Sequence, residues 1–158
     1  YAEIALGGSS NSFLRECNER WGGIMTEQQR IDIVAYRIGN AVNTLDEIKE
    51  HISNEFYNTA VNRMYYACFY AVSALLVAHQ IEVKSHDGTR QMFGRHFVLT
   101  GIVPKELGRF YRIIFEKRSS GDYEDFINYD LETVNSLYPE TCRFVIFIKG
   151  LVDTWLTK

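Results

Sequence analysis

The 158-residue chain is 46% hydrophobic and 14% aromatic, with a net charge of −3. Those values exclude an intrinsically disordered polypeptide, which lacks the apolar side chains needed to offset chain entropy. They also argue against bulk electrostatic binding of nucleic acid. A single domain with a proper hydrophobic core is the default at this length.

The charge is unevenly spread. Residues 82–118 carry Lys84, Arg90, Arg95, Lys105, Arg109, Arg112, Lys117 and Arg118 against Glu82, Asp87, Glu106 and Glu116. Either a local basic face or an ordinary solvated helix surface follows from this. The cysteines, Cys17, Cys68 and Cys142, show no C-x-x-C spacing. Cys68 and Cys142 fall in apolar helical patterns and read as small core residues, which suits a reducing cytosol. No signal peptide and no run of 18 apolar residues is read, so the expectation is a cytoplasmic protein without a membrane span.

In chain order, residues 1–24 differ from the rest. Leu6 to Ser12 is linker-like, Trp21-Gly22-Gly23 is a second break, and Phe13 to Cys17 has material for one helical turn. They read as an extension outside the domain, which spans residues 25–158. Thr26, with Gln29 three residues later, predicts a capping box. The first helix is predicted from about Glu27 to Ile52, where Ile31, Val34, Ile38, Ala41, Val42, Leu45 and Ile48 recur at three and four. Ser53-Asn54 is the predicted cap of a second helix, about Glu55 to His79.

Within that second helix, Asn62 to Leu76 is the predicted spine of the fold. It holds almost no charge, and its small residues (Ala67, Ala71, Ala74) allow close approach by neighbours. One stripe does not fit a plain core. Asn58, Asn62 and Tyr66 repeat every four residues and share one helical face. A buried asparagine there requires hydrogen-bond partners.

Ser85 is the predicted cap of a third helix, about His86 to Leu99, closed by Gly101 in a left-handed conformation. Pro104 suits a first helical turn, so a fourth helix is predicted from there to Arg118, broken by Ser119-Ser120-Gly121-Asp122. A polar loop with Tyr123 and Tyr129 follows. The fifth helix is predicted from Asp130 to about Thr157, kinked or split at Pro139. The fold class is therefore all-α: an up-and-down antiparallel bundle of about five helices.

Several chemistries find no support. His51, His79, His86 and His96 form neither H-x-x-x-H nor E-x-x-H pairs, so neither a zinc site nor a di-carboxylate centre is expected. There is no G-x-S-x-G nucleophile elbow, and Gly88 and Gly94 stand apart from any nucleotide-binding glycine pattern. What remains is polar. Asn58, Asn62 and Tyr66 on the second helix can meet Arg118, Asp122 and Tyr123 at the end of the fourth. Arg118 offers a planar, permanently charged donor set suited to a phosphate, with Asp122 to orient it and Tyr123 to bond the anion. The alternative is an interhelix network in which Arg118 pairs with Asp122 and Asn62 bonds a loop carbonyl.

These residues also carry a family resemblance. Ala60-Val61-Asn62-Arg63-Met64-Tyr65-Tyr66-Ala67-Cys68-Phe69-Tyr70-Ala71, then Lys84 to Gly88, Phe93 to Phe97, Pro104 to Arg109 and Lys117 to Phe126, resemble the small stand-alone prokaryotic branch of the HEPN domain family. The likeness covers about Thr26 to Trp155. It implies a helical bundle that dimerises, with polar grooves near the two-fold axis, and often a small nucleotidyltransferase as partner in a toxin–antitoxin pair. It also implies metal-independent cleavage of RNA through an arginine followed, four to six residues on, by a histidine. Arg118 matches the arginine, but no histidine follows His96, and Tyr123 stands near the missing position. Tyrosine, with a pKa of about 10, is a poor proton carrier near neutral pH.

The candidate ligand-binding residues are Asn62, Tyr66, His86, His96, Arg118, Asp122 and Tyr123. Arg118 and Tyr123 are the candidates for catalysis, and no metal or cofactor is expected. Three readings stay open: a dimeric module that binds a nucleotide or RNA phosphate and partners a nucleotidyltransferase, a ribonuclease toxin, or a structural dimer whose polar stripe sets helix register.

Overall fold

The computed structural model of the chain describes residues 25–123 and 127–158, with only the backbone of residues 119–123. The readings made for residues 1–24, Cys17 included, fall outside the described residues. Five helices follow in order: α1 (Glu27–Ser53), α2 (Tyr57–Ala78), α3 (His86–Phe93), α4 (Lys105–Tyr123) and α5 (Leu131–Leu156). A π-helical segment, Gly94–Val98, continues α3. No strand occurs among the described residues, and the fold is an all-α bundle.

Local sequence signals set most of the helix starts. Thr26 and Gln29 form both bonds of the capping box: the Gln29 N–H donates to Thr26 Oγ1 at 3.1 Å, and the Thr26 N–H donates to Gln29 Oε1 at 2.9 Å. Ser85 Oγ accepts from the Gly88 N–H at 2.9 Å, and Asp130 Oδ1 accepts from the Thr133 N–H at 2.8 Å. Each such cap satisfies one otherwise orphaned donor and is worth about 1 kcal/mol. Gly101 takes a positive φ of 80°, as the end of the third helical segment requires.

Three boundaries differ from expectation. Asn54 closes α1 instead of opening α2: its Nδ2 donates back to the Glu50 carbonyl at 2.8 Å. Glu55 then turns the chain at φ 62°, and α2 starts after Phe56 without a side-chain cap. The predicted break after Arg118 does not occur, and α4 continues through Tyr123. Serine and glycine each cost at most about 1 kcal/mol in a helix, which tertiary contacts override. Pro139 does not split α5, which is one helix anchored where the Tyr138 hydroxyl donates to the Leu45 carbonyl at 3.0 Å.

Helix α2 packs against α1, α3, α4 and α5, which makes it the central element. By length and hydropathy it could cross a membrane, but 83% of its apolar window is buried within the bundle, as in the core helix of a folded domain. Cys68 lies fully buried on it with a free thiol, and burial pushes that thiol's pKa up. Helices α1 and α2 form a hairpin joined by three residues. At the closed end of that hairpin Asn58 meets the residues that lead into α5, while Tyr138 reaches Leu45, so α5 runs parallel to α2 and antiparallel to α1. One side of α2 faces an aromatic layer. Tyr65 stacks on Tyr111 at 6.3 Å, and Tyr111 stacks on Phe144 at 5.5 Å. Phe93 meets Tyr111 edge-on at 5.5 Å. Offset and edge-on pairs of this kind add about 0.5–1.5 kcal/mol each beyond area burial. This layer fixes the helix ends that carry the polar residues.

Candidate functional site

The helical repeat puts Tyr65, Phe69 and Tyr66 on the part of α2 that faces α3 and the last turns of α4. Arg118 comes from α4. Its Nη2 donates to the Tyr66 hydroxyl at 3.2 Å, and its guanidinium carbon lies 5.4 Å from the Tyr65 ring centroid and 5.6 Å from that of Tyr66. Two tyrosine faces thus hold one permanent positive charge, an attraction worth about 0.5–2 kcal/mol per ring depending on desolvation. Tyr66 is 2% exposed and receives a second guanidinium, that of Arg63, at 5.6 Å. Arg63 is itself buried and pairs with Glu47 at 3.2 Å.

His86, the first residue of α3, completes the cluster. Its Nδ1 and the Tyr65 hydroxyl are 2.7 Å apart. Its ring lies 4.5 Å from Phe69 and 5.9 Å from Tyr66. Loss of water, reinforced by the Arg118 charge, pulls the imidazole pKa from 6.5 down to about 4. The ring is therefore neutral near physiological pH. Burial pushes the Tyr65 hydroxyl well above its usual range, with Arg118 working in the opposite direction. Tyr65 is then the natural donor and His86 Nδ1 the acceptor. A second arginine borders the cluster: Arg90 of α3 lies over Phe115 at 5.2 Å and bonds Asp87 at 2.7 Å.

The predicted site residues divide into three groups. Tyr66, Arg118 and His86 are brought together. Asn58, Asn62 and Tyr66 do not act as one stripe. Asn58 serves the loop before α5, with Nδ2 donating to the Ile127 carbonyl at 3.1 Å and Oδ1 accepting the Tyr129 N–H at 2.9 Å. The predicted bond from an asparagine to a loop carbonyl exists, but Asn58 makes it rather than Asn62. Asn62 is half-buried and takes part in none of these contacts. His96 is exposed on the π-helical segment and is not part of the cluster. The side chains of Asp122 and Tyr123 lie outside the described ones, so their proposed contacts with Arg118 do too.

Sequence reasoning missed Tyr65 and Phe69. Both sit inside the apolar run, at a spacing of four, where an aromatic residue looks like core. Only the identity of their neighbour, His86, marks them as more. The tyrosine hydroxyl was the one available signal, because a buried tyrosine needs a polar partner.

The loop after α4 is fastened at two points. The Tyr129 hydroxyl donates to the Lys117 carbonyl at 2.7 Å, next to Arg118, and Lys117 Nζ lies 5.7 Å from the Tyr129 ring. An open concavity of about 290 Å³ lies beside this junction, lined by Phe56, Asn58, Thr59 and Tyr129 among others. The local basic excess is largely a surface feature: Lys84, Arg95, Lys105, Arg109 and Arg112 are exposed. Among the described residues, no group of three or more His, Cys, Asp or Glu side chains converges to hold a metal ion.

The chain matches the model of the HEPN domain over residues 34–151. It is similar to a UPF0332 protein of Thermotoga maritima, with 40% identity over 129 residues, 82% of this chain and 96% of the relative. Two proteins of Methanocaldococcus jannaschii are also similar. One, named "Putative toxin MJ0142", is 33% identical over 63% of this chain and 68% of its own length. The other, named "Putative toxin MJ0605", is 35% identical over 52% of this chain and 62% of its own length. The family match covers most of the bundle, including α2, α3, α4 and the greater part of α5, and on that ground the chain belongs to the HEPN domain family.

Proposed function

We propose that the cluster of Arg118, Tyr66 and His86 binds a phosphate group of a nucleotide or RNA, within a toxin-like HEPN module that acts as a homodimer beside a small nucleotidyltransferase. The observation that carries this reading is the guanidinium of Arg118 positioned over two tyrosine rings and beside a neutral histidine. Such a guanidinium has little rotamer freedom left to lose on binding, and its fork matches phosphate geometry. The toxin names of two relatives support the toxin-like part. Family membership supports the partner and the dimer. A calorimetric titration with nucleoside phosphates and short RNAs tests the site. Arg118→Ala should weaken binding by tenfold or more, since a hydrogen bond to a charged group is worth about 1.5–3 kcal/mol. Equal heats from both proteins would remove Arg118 from the site.

The position of His86 favours a second reading, a metal-independent ribonuclease. The RNA 2′-oxygen would attack the adjacent phosphorus, the P–O5′ bond would break, and Arg118 would stabilise the charge on the non-bridging oxygens. His86 would accept the 2′-hydroxyl proton at Nδ1, giving up the bond from Tyr65, in place of the histidine absent after Arg118, and the departing 5′-oxygen would take a proton from water. Cleavage of RNA in EDTA that disappears in both Arg118→Ala and His86→Gln is the expected result. Undiminished cleavage by either variant counts against this route.

A further inference from the structure

Helix α3 and its π-helical extension run antiparallel to α4, and three contacts give the register. Val98 lies against Gly108, the Phe93 ring meets Tyr111 edge-on at 5.5 Å, and the Arg90 guanidinium lies over Phe115 at 5.2 Å. Each step back along α3 is a step forward along α4. One turn further, the pairing reaches His86 and Arg118, which share the Tyr65 ring. Arg90 is therefore the next cation after Arg118 along the α3/α4 seam. The two guanidinium groups sit on rings that touch: Phe115 and Tyr65 meet edge-on at 5.8 Å. Phe115 and Arg118 are three residues apart, so the two charges are offset by about one helical turn, about 5 Å along the axis. Phosphates of a stacked nucleic-acid strand follow one another every 3.4 Å or so along its axis, and an unstacked strand spaces them farther.

Arg90 is not fully engaged by its own neighbours. Its Nη2 donates to Asp87 Oδ1 at 2.7 Å, and its Nε is buried. Among the described residues its Nη1 makes no hydrogen bond, and it is not buried; the side chain is 33% exposed. Asp87 is 52% exposed and divides its oxygens between Arg90 and Gln91. An ion pair so open to water holds weakly. Beyond Arg90 the surface stays basic. No acidic residue occurs from Gly88 to Lys105, while Arg95, Lys105 and Arg112 are exposed.

We propose that Arg90 is a second phosphate contact, one step along the strand from Arg118, and that the site takes a single strand of RNA in preference to a free nucleotide. The proposal rests on the phosphate-site reading above and chooses between its two ligands. Arg118 holds one phosphate, Nη1 of Arg90 donates to the next, and the strand continues toward Arg112.

The test is calorimetric titration of the intact protein at several salt concentrations. The probes are uridine 5′-monophosphate, uridine 5′-diphosphate and a tetramer of 2′-O-methyluridine, whose blocked 2′-oxygens cannot attack the phosphates. Wild type should bind the tetramer about tenfold or more tightly than either mononucleotide, because it alone spans two charged contacts. Arg90→Gln should lose most of that margin while keeping its affinity for the monophosphate within about twofold, as expected for separate contacts. Its slope of log affinity against log salt for the tetramer should become shallower by about 0.7, the loss of one phosphate contact on a single strand. Arg90→Lys, which keeps the charge, should retain the slope. Asp87→Asn breaks the ion pair but leaves the charge on Arg90, and should not weaken the tetramer. Arg118→Gln should weaken all three probes.

If Arg90→Gln leaves the tetramer unaffected, or weakens the monophosphate equally, the second contact is overturned while the Arg118 site stands. A loss in Asp87→Asn equal to that in Arg90→Gln would make the pair structural and overturn it too. A diphosphate bound as tightly as the tetramer would overturn the preference for a strand. If Arg118→Gln binds every probe as wild type does, the phosphate-site reading falls and this proposal falls with it.

Discussion

Asn58 grips Tyr129 across 71 positions of sequence: its Oδ1 accepts the Tyr129 N–H at 2.9 Å while its Nδ2 donates to the Ile127 carbonyl at 3.1 Å. One side chain on the first turn of α2 therefore ties down the backbone that enters α5. The Tyr129 hydroxyl then bonds the Lys117 carbonyl, so the clamp extends to the turn of α4 that presents Arg118. Asn58→Ala removes both bonds at an exposed position and should cost about 1–2 kcal/mol, the lower part of the range for paired polar groups. Asn58→Asp keeps the acceptor for Tyr129 and loses the donor to Ile127, so its cost should fall between. Urea denaturation checks the order, and equal stability of all three proteins would mean that the clamp contributes nothing.

Tyr66 has separable roles. Its ring carries two guanidinium groups, Arg63 and Arg118, each at 5.6 Å, while its hydroxyl accepts only from Arg118 in the contacts described. Tyr66→Phe keeps the ring, so stability should change by less than about 1 kcal/mol while nucleotide affinity falls several-fold. Tyr66→Leu loses both ring contacts as well and should destabilise by about 2–4 kcal/mol. A Tyr66→Phe protein with unaltered affinity in calorimetry would separate the Arg118–Tyr66 bond from ligand binding.

His86 gives the folded protein a definite acid sensitivity. In the unfolded chain its imidazole titrates near 6.5, and in the folded protein near 4. Between those values the unfolded chain binds more protons, so stability rises with pH through this window and the His86 contribution is level above it. Thermal melting across that window should show a falling Tm as the solution is acidified, and His86→Gln should flatten the part due to this residue. The same slope in wild type and variant would assign the acid loss to carboxylates elsewhere.

Gly108 of α4 is in close contact with Val98. A methyl group added at Gly108 would lie 2.9 Å from both Val98 methyl carbons, closer than van der Waals contact allows. Gly108→Ala should therefore destabilise by about 1–3 kcal/mol despite the better helix propensity of alanine. Val98→Ala opens the space, so the double variant should recover part of the loss. Strict additivity in a double-mutant cycle would show that the two residues do not meet.

Much of the bundle was legible from local signals. The capping box at Thr26, the cap at Ser85 and the positive φ at Gly101 depend on a few adjacent residues, and the structure contains all three. The near-absence of charge from Asn62 to Leu76, with apolar residues on nearly every face, likewise marked α2 as the helix surrounded by the others. Readings that weighed one local preference against another fared worse. Asn54 could cap either neighbouring helix and went to α1, and the serines and glycine after Arg118 stayed helical.

The amino-acid sequence by itself determined the fold class, the central place of α2 and the prominence of Arg118, because helical periodicity, capping chemistry and permanent charge are properties of short stretches. Only the tertiary structure decided which side chains share a site. It took Asn58 away to a loop, left His96 on the surface and set His86 against Tyr65, 21 positions away. Those pairings follow from how the rings of Tyr65, Phe69, Tyr111 and Phe144 interlock between helices. A residue's spacing along one helix says which face it occupies, but not which helix that face will meet.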